Sequence, residues 1–225
     1  RHCMRKKEMV NWQTEKIPRT MLKKQLSVFA IIFLAFLSFA HAQDLQIIKQ
    51  RVKADLLAPP VNEKTINQLV KTIRPDGTWP GINYKDVSRT GFQHKDHLEN
   101  MLALARAYKK PGSPLFNDPA VKRTFSAALD FWLANDFRCD NWWWNEMGTP
   151  NLMINTLLVM DSSLTEKQRT EGLQIARRAN LETFGARPGG DLMPIAGMLG
   201  KQALFTNSPD TLQRVIKVMA AEIKV

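Results

Sequence analysis

After position 43 the apolar residues recur at i, i+3, i+4 and i+7, and no stretch keeps the strict alternation of a half-buried strand. Leu45, Ile48, Val52 and Leu56 fall on one face of a helix over 44–57, and Leu98, Met101, Leu102 and Ala105 repeat the pattern over 95–108. Start and stop signals divide the rest. Asn62 is placed to cap a helix to Ile73, with Glu63 in its first turn. Asp118-Pro119 joins a capping side chain to a first-turn proline for a helix to about Asn135. Thr149-Pro150 opens a helix to Met160, and Thr165 with Gln168 forms a capping box for one to Ala179. A helix from about Asp191 to Phe205 and a last one begun by Ser208-Pro209 complete the set. The fold class is therefore all-α, with about eight helices whose short connections make sequential neighbours antiparallel pairs. Periodicity leaves bundle, solenoid and toroid open. At 225 residues the chain is long enough for a sizeable core.

The first 42 residues stand apart. Residues 1–20 are polar and basic without a helical stripe, and read as an upstream extension outside the fold. Met21-Leu22-Lys23-Lys24, the apolar run Leu26 to Phe39 and the small-x-small triplet Ala40-His41-Ala42 form a signal peptide over 21–42. That implies a secreted or periplasmic protein, with no membrane contact after cleavage; a retained anchor is the alternative. The region 43–225 is then one helical domain, expected to be the N-terminal part of a larger one because no C-cap signal precedes Val225.

Net charge narrows the partners. Residues 1–42 hold eight of the 32 Lys and Arg and two of the 21 Asp and Glu, so the remainder carries about +5 of the net +11. No basic stripe with interleaved aromatics is present, so nucleic acid is not the expected partner. An acidic polysaccharide suits a mild positive bias. Cys3 precedes the cleavage point and Cys139 is alone after it, so Cys139 reads as a buried, inert thiol. His94 and His97, with Asp96 and Glu99 nearby, read as polar residues at a helix start; no third ligand motif follows, so no metal or cofactor is expected. Gln93 and His94 remain candidates for the border of a cleft.

Five of the six Trp lie between 79 and 144, three of them in the run Asn141-Trp142-Trp143-Trp144-Asn145-Glu146-Met147-Gly148-Thr149-Pro150. Three consecutive indoles cannot all face one core, whether on a helix or a strand. One reading has them filling gaps between helices. The other has an indole serving as a platform for a sugar ring, with Asn141, Asn145 and Glu146 bonding hydroxyls.

Asn141-Trp142-Trp143 followed by Glu146-Met147-Gly148-Thr149-Pro150 resembles the N-W-W-x-x-E-I-G-T-P motif of the polysaccharide lyase family that contains chondroitin AC, hyaluronate and xanthan lyases. Asp76-Gly77-Thr78-Trp79-Pro80 and Ile82-Asn83-Tyr84 support it more weakly. The resemblance implies antiparallel helix pairs forming part of an incomplete (α/α) toroid, with β-sandwich domains beyond. It implies cleavage of uronic-acid glycans by β-elimination, with an Asn binding the uronate carboxylate and a Tyr, a His and Arg residues assisting. Asn141, Trp142 and Trp143, flanked by Trp144 and Asn145, match the aromatic patch that positions substrate.

The family's Gly-Gly-Asn stands here as Gly189-Gly190-Asp191, and an ionised Asp is acceptor-only and repels a uronate. Asp191 is protonated, or compensated by a cation such as Arg187, or the substrate differs, or the residue serves only as a helix cap. The family's His-to-Tyr segment falls beyond Val225, so the chain is expected to be catalytically incomplete. The competing expectations are a non-catalytic glycan-binding helical module and an unrelated helical repeat that binds peptide.

Overall fold

The computed structural model describes residues 43–223; the upstream extension and signal peptide lie outside the described residues. Among these, no residue is in a strand. Helix α1 occupies 43–57. It is followed by α2 (Glu63–Thr72), α3 (His94–Lys109), α4 (Pro119–Asn135), α5 (Thr149–Met160), α6 (Glu166–Ala176), α7 (Leu192–Phe205) and α8 (Pro209–Glu222). None of these helices is long and apolar enough to cross a membrane.

Local chemistry accounts for the helix starts. Asn62 Oδ1 accepts from the Thr65 N–H at 3.1 Å. Asp118 Oδ1 accepts from Ala120 and Val121 at 2.7 and 3.0 Å, ahead of Pro119. Thr165 and Gln168 exchange both bonds of the capping box, at 3.1 and 3.2 Å. Ser208 accepts from Thr211 to start α8. Helix α6 stops at Ala176, three residues before the expected Ala179: Arg178 and Ala179 donate only three residues back, to Ile175 and Ala176, and Gln202 Nε2 anchors this tightened end through the carbonyls of Ala176 and Ala179 at 2.8 and 3.1 Å.

The buried face of α1 also differs from the apolar pattern. Ile48 is exposed, and Lys49 takes its place between Leu45 and Val52. The Lys49 ammonium lies 2.8 Å from the Asp161 carboxylate, which Arg169 also holds. A charge enters the stripe because it meets its counter-charge there. Burial works against ionised Asp161, but its bonds from Lys49 and Arg169 leave the carboxyl below the usual range.

Helices α3, α5 and α7 pack side by side as an inner layer, and α4 lies beside α6 behind them. The antiparallel pairs α3/α4, α5/α6 and α7/α8 are the repeating unit, and together they form part of an incomplete (α/α) toroid. Helix α5 is apolar nearly all round, and every residue from Met153 to Met160 is buried, as a central helix requires. The inner helices start at one end of the layer. There the Asp140 N–H donates to Val87 O at 3.0 Å, Asn141 Nδ2 to Arg89 O at 3.3 Å and the Asp191 N–H to Gly185 O at 2.9 Å. A small apolar cluster of Met147, Ala179, Ile195 and Met198 lies at this end.

The loop before α3 is tied down by a polar chain that runs from the exposed Asp76 inward to the buried His97. Asp76 Oδ1 accepts from the Thr78 N–H and hydroxyl, at 3.0 and 2.7 Å. Gly77 has φ +87°, and a Cβ there would come within 2.8 Å of Phe131 Cβ. Trp79 is buried and donates its indole N–H to Leu69 O at 3.0 Å. Its backbone N–H donates to the Tyr84 hydroxyl at 3.1 Å. The Tyr84 hydroxyl lies 2.9 Å from His97 Nδ1, and His97 Nε2 lies 3.0 Å from Ala128 O. A carbonyl can only accept, so Nε2 carries the proton and Tyr84 donates to Nδ1.

His94 and His97 stand in the first turn of α3, the helix start expected of them, and both are 0% exposed. The physical reason is aromatic packing. His94 stacks on Phe92 with centroids 4.5 Å apart, and His97 lies among Trp79, Phe131 and Trp132. His94 therefore does not border an open cleft, and Gln93 turns its Oε1 to the Asn83 N–H at 2.9 Å.

Candidate functional site

The Trp run is the first part of a longer helix that α5 completes. Asn141 caps it: its Oδ1 accepts from the Trp143 N–H at 3.1 Å, and its carbonyl accepts from Trp144 at 3.1 Å. Trp144–Gly148 then forms a π-helical segment, in which the Thr149 N–H reaches back to Trp144 O. Such an insertion rotates what precedes it relative to the rest of the helix, and is frequent at functional sites.

The rotation splits the three indoles. Trp144 packs on the main core beside Phe92, and meets Trp143 edge to face at 5.0 Å and 87°. Trp142 and Trp143 stay 36% and 40% exposed. Trp142 points to the loop before α7, where Phe184 packs edge-on against it at 5.8 Å. Trp143 opens toward the groove between α5 and α7.

Two flanking residues are committed to the backbone. Asn145 Oδ1 accepts from the Cys139 N–H at 3.0 Å, and its Nδ2 donates to Cys139 O at 2.7 Å. That closes the loop under the indoles and leaves little of the amide for a ligand. Glu146 turns inward, and its Oε2 is sealed from solvent without a protein donor. Cys139 is buried, and burial pushes its thiol above the usual value.

The loop before α7 forms the second wall. Asp191 occupies the cap position of α7, and its carbonyl accepts from Ile195 at 3.0 Å, but its carboxylate bonds nothing in the first turn. A side-chain capping role therefore does not account for the carboxylate. A Cβ on Gly185 would lie 3.2 Å from the Trp142 ring and 3.4 Å from Asp191 Cβ, so these three residues are immediate neighbours. Arg187 stacks on Phe184 at 4.6 Å and donates to Phe184 O at 3.1 Å. Among the described ion pairs none joins Arg187 to Asp191. Phe184, 71% exposed, escaped the reading of the sequence, because a single Phe in a loop carries no pattern that separates display from burial. Among the described residues no group of three or more His, Cys, Asp or Glu converges as a metal site would need.

Residues 41–219 match the profile of polysaccharide lyase family 8, N terminal alpha-helical domain. The chondroitinase-AC of Pedobacter heparinus is 32% identical over 143 residues, which cover 61% of this chain and 20% of that protein. The chain thus spans about a fifth of that curated relative's length. A chondroitinase AC lyase whose active site was revealed by enzyme–oligosaccharide complexes aligns with a TM-score of 0.70 and 28% identity. The alignment covers 78% of this chain and 26% of the enzyme. The chondroitin AC lyase of Streptomyces coelicolor A3, solved with chondroitin sulphate, aligns at 0.64 and 14%, covering 80% and 27% of the two chains. A Paenibacillus xanthan lyase aligns at 0.62 and 17%, covering 80% and 19%. Those last two likenesses concern the fold alone. With the profile matched across most of its length, the chain belongs to polysaccharide lyase family 8, as its N-terminal α-helical domain.

Proposed function

We propose that this chain is the substrate-binding helical domain of an exported polysaccharide lyase that cleaves uronic-acid glycans of the chondroitin or hyaluronan kind by β-elimination. In that reaction a base takes the C5 proton of the uronate, the C4–O bond breaks, and a 4,5-unsaturated sugar remains. The observation that carries the reading is the exposed pair Trp142 and Trp143, the first beside Gly185 and the second on the groove between α5 and α7. Flat indoles with nearby polar groups suit pyranose rings. The chondroitin-directed relatives support an acidic glycosaminoglycan as the substrate class. Export rests on the Met21–Ala42 pattern.

The part played by these residues is positioning. Asn141 orients the Trp run, Trp142 and Trp143 carry sugar rings, Trp144 and Asn145 brace them, and Arg187 fixes Phe184 at the rim. His97 is buried among aromatic rings, and the half-buried Tyr84 is engaged with it and with the Trp79 N–H, so this pair braces the loop before α3. On this reading the Trp run and the loop before α7 bind and position the glycan and take no part in proton transfer. A non-catalytic glycan-binding module is the second reading, favoured by Asp191, because an ionised carboxylate there would oppose a uronate.

Calorimetric titration with chondroitin and hyaluronan oligosaccharides tests the proposal. Trp142→Ala and Trp143→Ala are each expected to weaken binding about tenfold, as removal of a central aromatic anchor does. Unchanged affinity in both would sink it. Appearance of the unsaturated-uronate absorbance on incubation with the full-length protein separates lyase from module.

A further inference from the structure

Beside Trp143, helices α5 and α7 leave a groove of about 320 Å³ lined by Trp143, Gly148, Asn151, Gly197, Met198 and Lys201. Gly197 opens its floor, because no atom lies within 4 Å of where a Cβ would stand. The Lys201 ammonium sits inside, donating to Asn155 Oδ1 at 2.8 Å and Asn151 Oδ1 at 3.4 Å. No described ion pair includes it. Burial alone pulls its pKa down, with no carboxylate acting in the other direction. Asn151 Oδ1 also takes Asn155 Nδ2 at 3.4 Å, and its own Nδ2 has no acceptor among the described residues.

A partly buried cation held only by amide oxygens lacks a counter-charge, and an anion entering the groove would supply it. The neighbouring amide N–H₂ is a second unused donor in the same groove. Together they form a two-donor cationic pocket opening beside an exposed indole.

We propose that this groove is an anion subsite in which Lys201 and Asn151 receive the acidic substituent, sulfate or carboxylate, of a sugar unit whose ring lies on Trp143. The assignment rests on the glycan-binding reading of Trp142 and Trp143. Lys201 contributes affinity and selectivity for charged units; it takes no part in bond cleavage.

The test is calorimetric titration of the full chain with sulfated and unsulfated chondroitin oligosaccharides of equal length. Lys201→Gln, which keeps a donor for the Asn oxygens but removes the charge, is expected to bind about tenfold more weakly. Lys201→Arg should stay within about threefold of the parent. Asn151→Asp, which pairs the lysine internally, should reproduce the loss and guards against a folding defect in a single variant. Loss confined to the sulfated probe identifies the bound group as sulfate, and equal loss on both identifies the carboxylate. Parent-like binding by folded Lys201→Gln and Asn151→Asp overturns the subsite alone and makes the groove a helix-packing surface. Failure of the parent chain to bind either probe overturns the subsite together with the reading of the Trp run.

Discussion

At Gly148 a single hydrogen separates the backbone from two indoles. A Cβ at this position would overlap the Trp144 ring and come within 2.8 Å of Trp143. The glycine of the motif is thus explained by ring packing over the helix, with no need of an unusual backbone angle. Gly148→Ala is expected to cost about 1–3 kcal/mol through overpacking, and to weaken glycan binding several-fold as Trp143 is pushed aside. Denaturant titration and calorimetry read both effects; parent-like stability would show that the rings are not held by this contact. Asp191 makes the opposite kind of prediction. Its carboxylate makes no bond in the first turn of α7, and its Cβ lies beside Gly185, which also adjoins Trp142, so on the proposed reading an ionised carboxylate here would oppose an incoming uronate. Asp191→Asn exchanges an acceptor for a group that also donates, and should tighten binding of uronate-bearing oligosaccharides about tenfold, or about 1.4 kcal/mol. An affinity that stays the same or falls would mean the carboxylate does not face the substrate acid.

The helices differ in how far their own sequence announces them. Asn62, Asp118, Thr165 and Ser208 each cap within three residues, so the starts of α2, α4, α6 and α8 were legible from local chemistry. Asp118→Ala removes two bonds to Ala120 and Val121, and should lower unfolding free energy by about 1 kcal/mol in urea titration, with an unchanged m-value. A loss below a few tenths would show that Pro119 suffices to start α4. What was not legible depends on distant partners. The early end of α6 is anchored by Gln202, and the Lys49 stripe of α1 by Asp161. That three adjacent indoles cannot share one core follows from helical geometry alone. That Trp144 is the one turned inward follows from the π-helical segment, which leaves no periodic mark. The Lys201 groove needs two helices 50 residues apart to meet, so no spacing rule finds it.

Across the molecule, the Trp79–Tyr84–His97 chain joins α2, the loop before α3, α3 itself and α4 through Leu69 O and Ala128 O. His94 Nε2 lies 2.9 Å from Tyr84 O and its ring stacks on Phe92, against which Trp144 rests, so the chain connects to the site through His94. Its bonding pattern requires neutral imidazole, and burial pushes His97 down to about 4. Burial lowers His94 as well, so both histidines act with the same sign. Above the unfolded-state value of 6.5, neither folded nor unfolded histidine binds a proton and their contribution to stability is fully present. As pH falls from 6.5 toward 4, the unfolded chain takes up protons that folded His97 refuses, so stability falls. The shift of His97 corresponds to a loss on the order of 3 kcal/mol over that window. Asp161 contributes at lower pH, because its carboxyl is held below 3.8 and its stabilisation disappears only as it protonates. Urea titrations from pH 7 to pH 4 should therefore show a steady decline before any carboxylate-driven acid unfolding. A stability flat down to pH 4 would mean that His97 is charged in the folded protein and that the Ala128–His97–Tyr84–Trp79 chain is not formed as described.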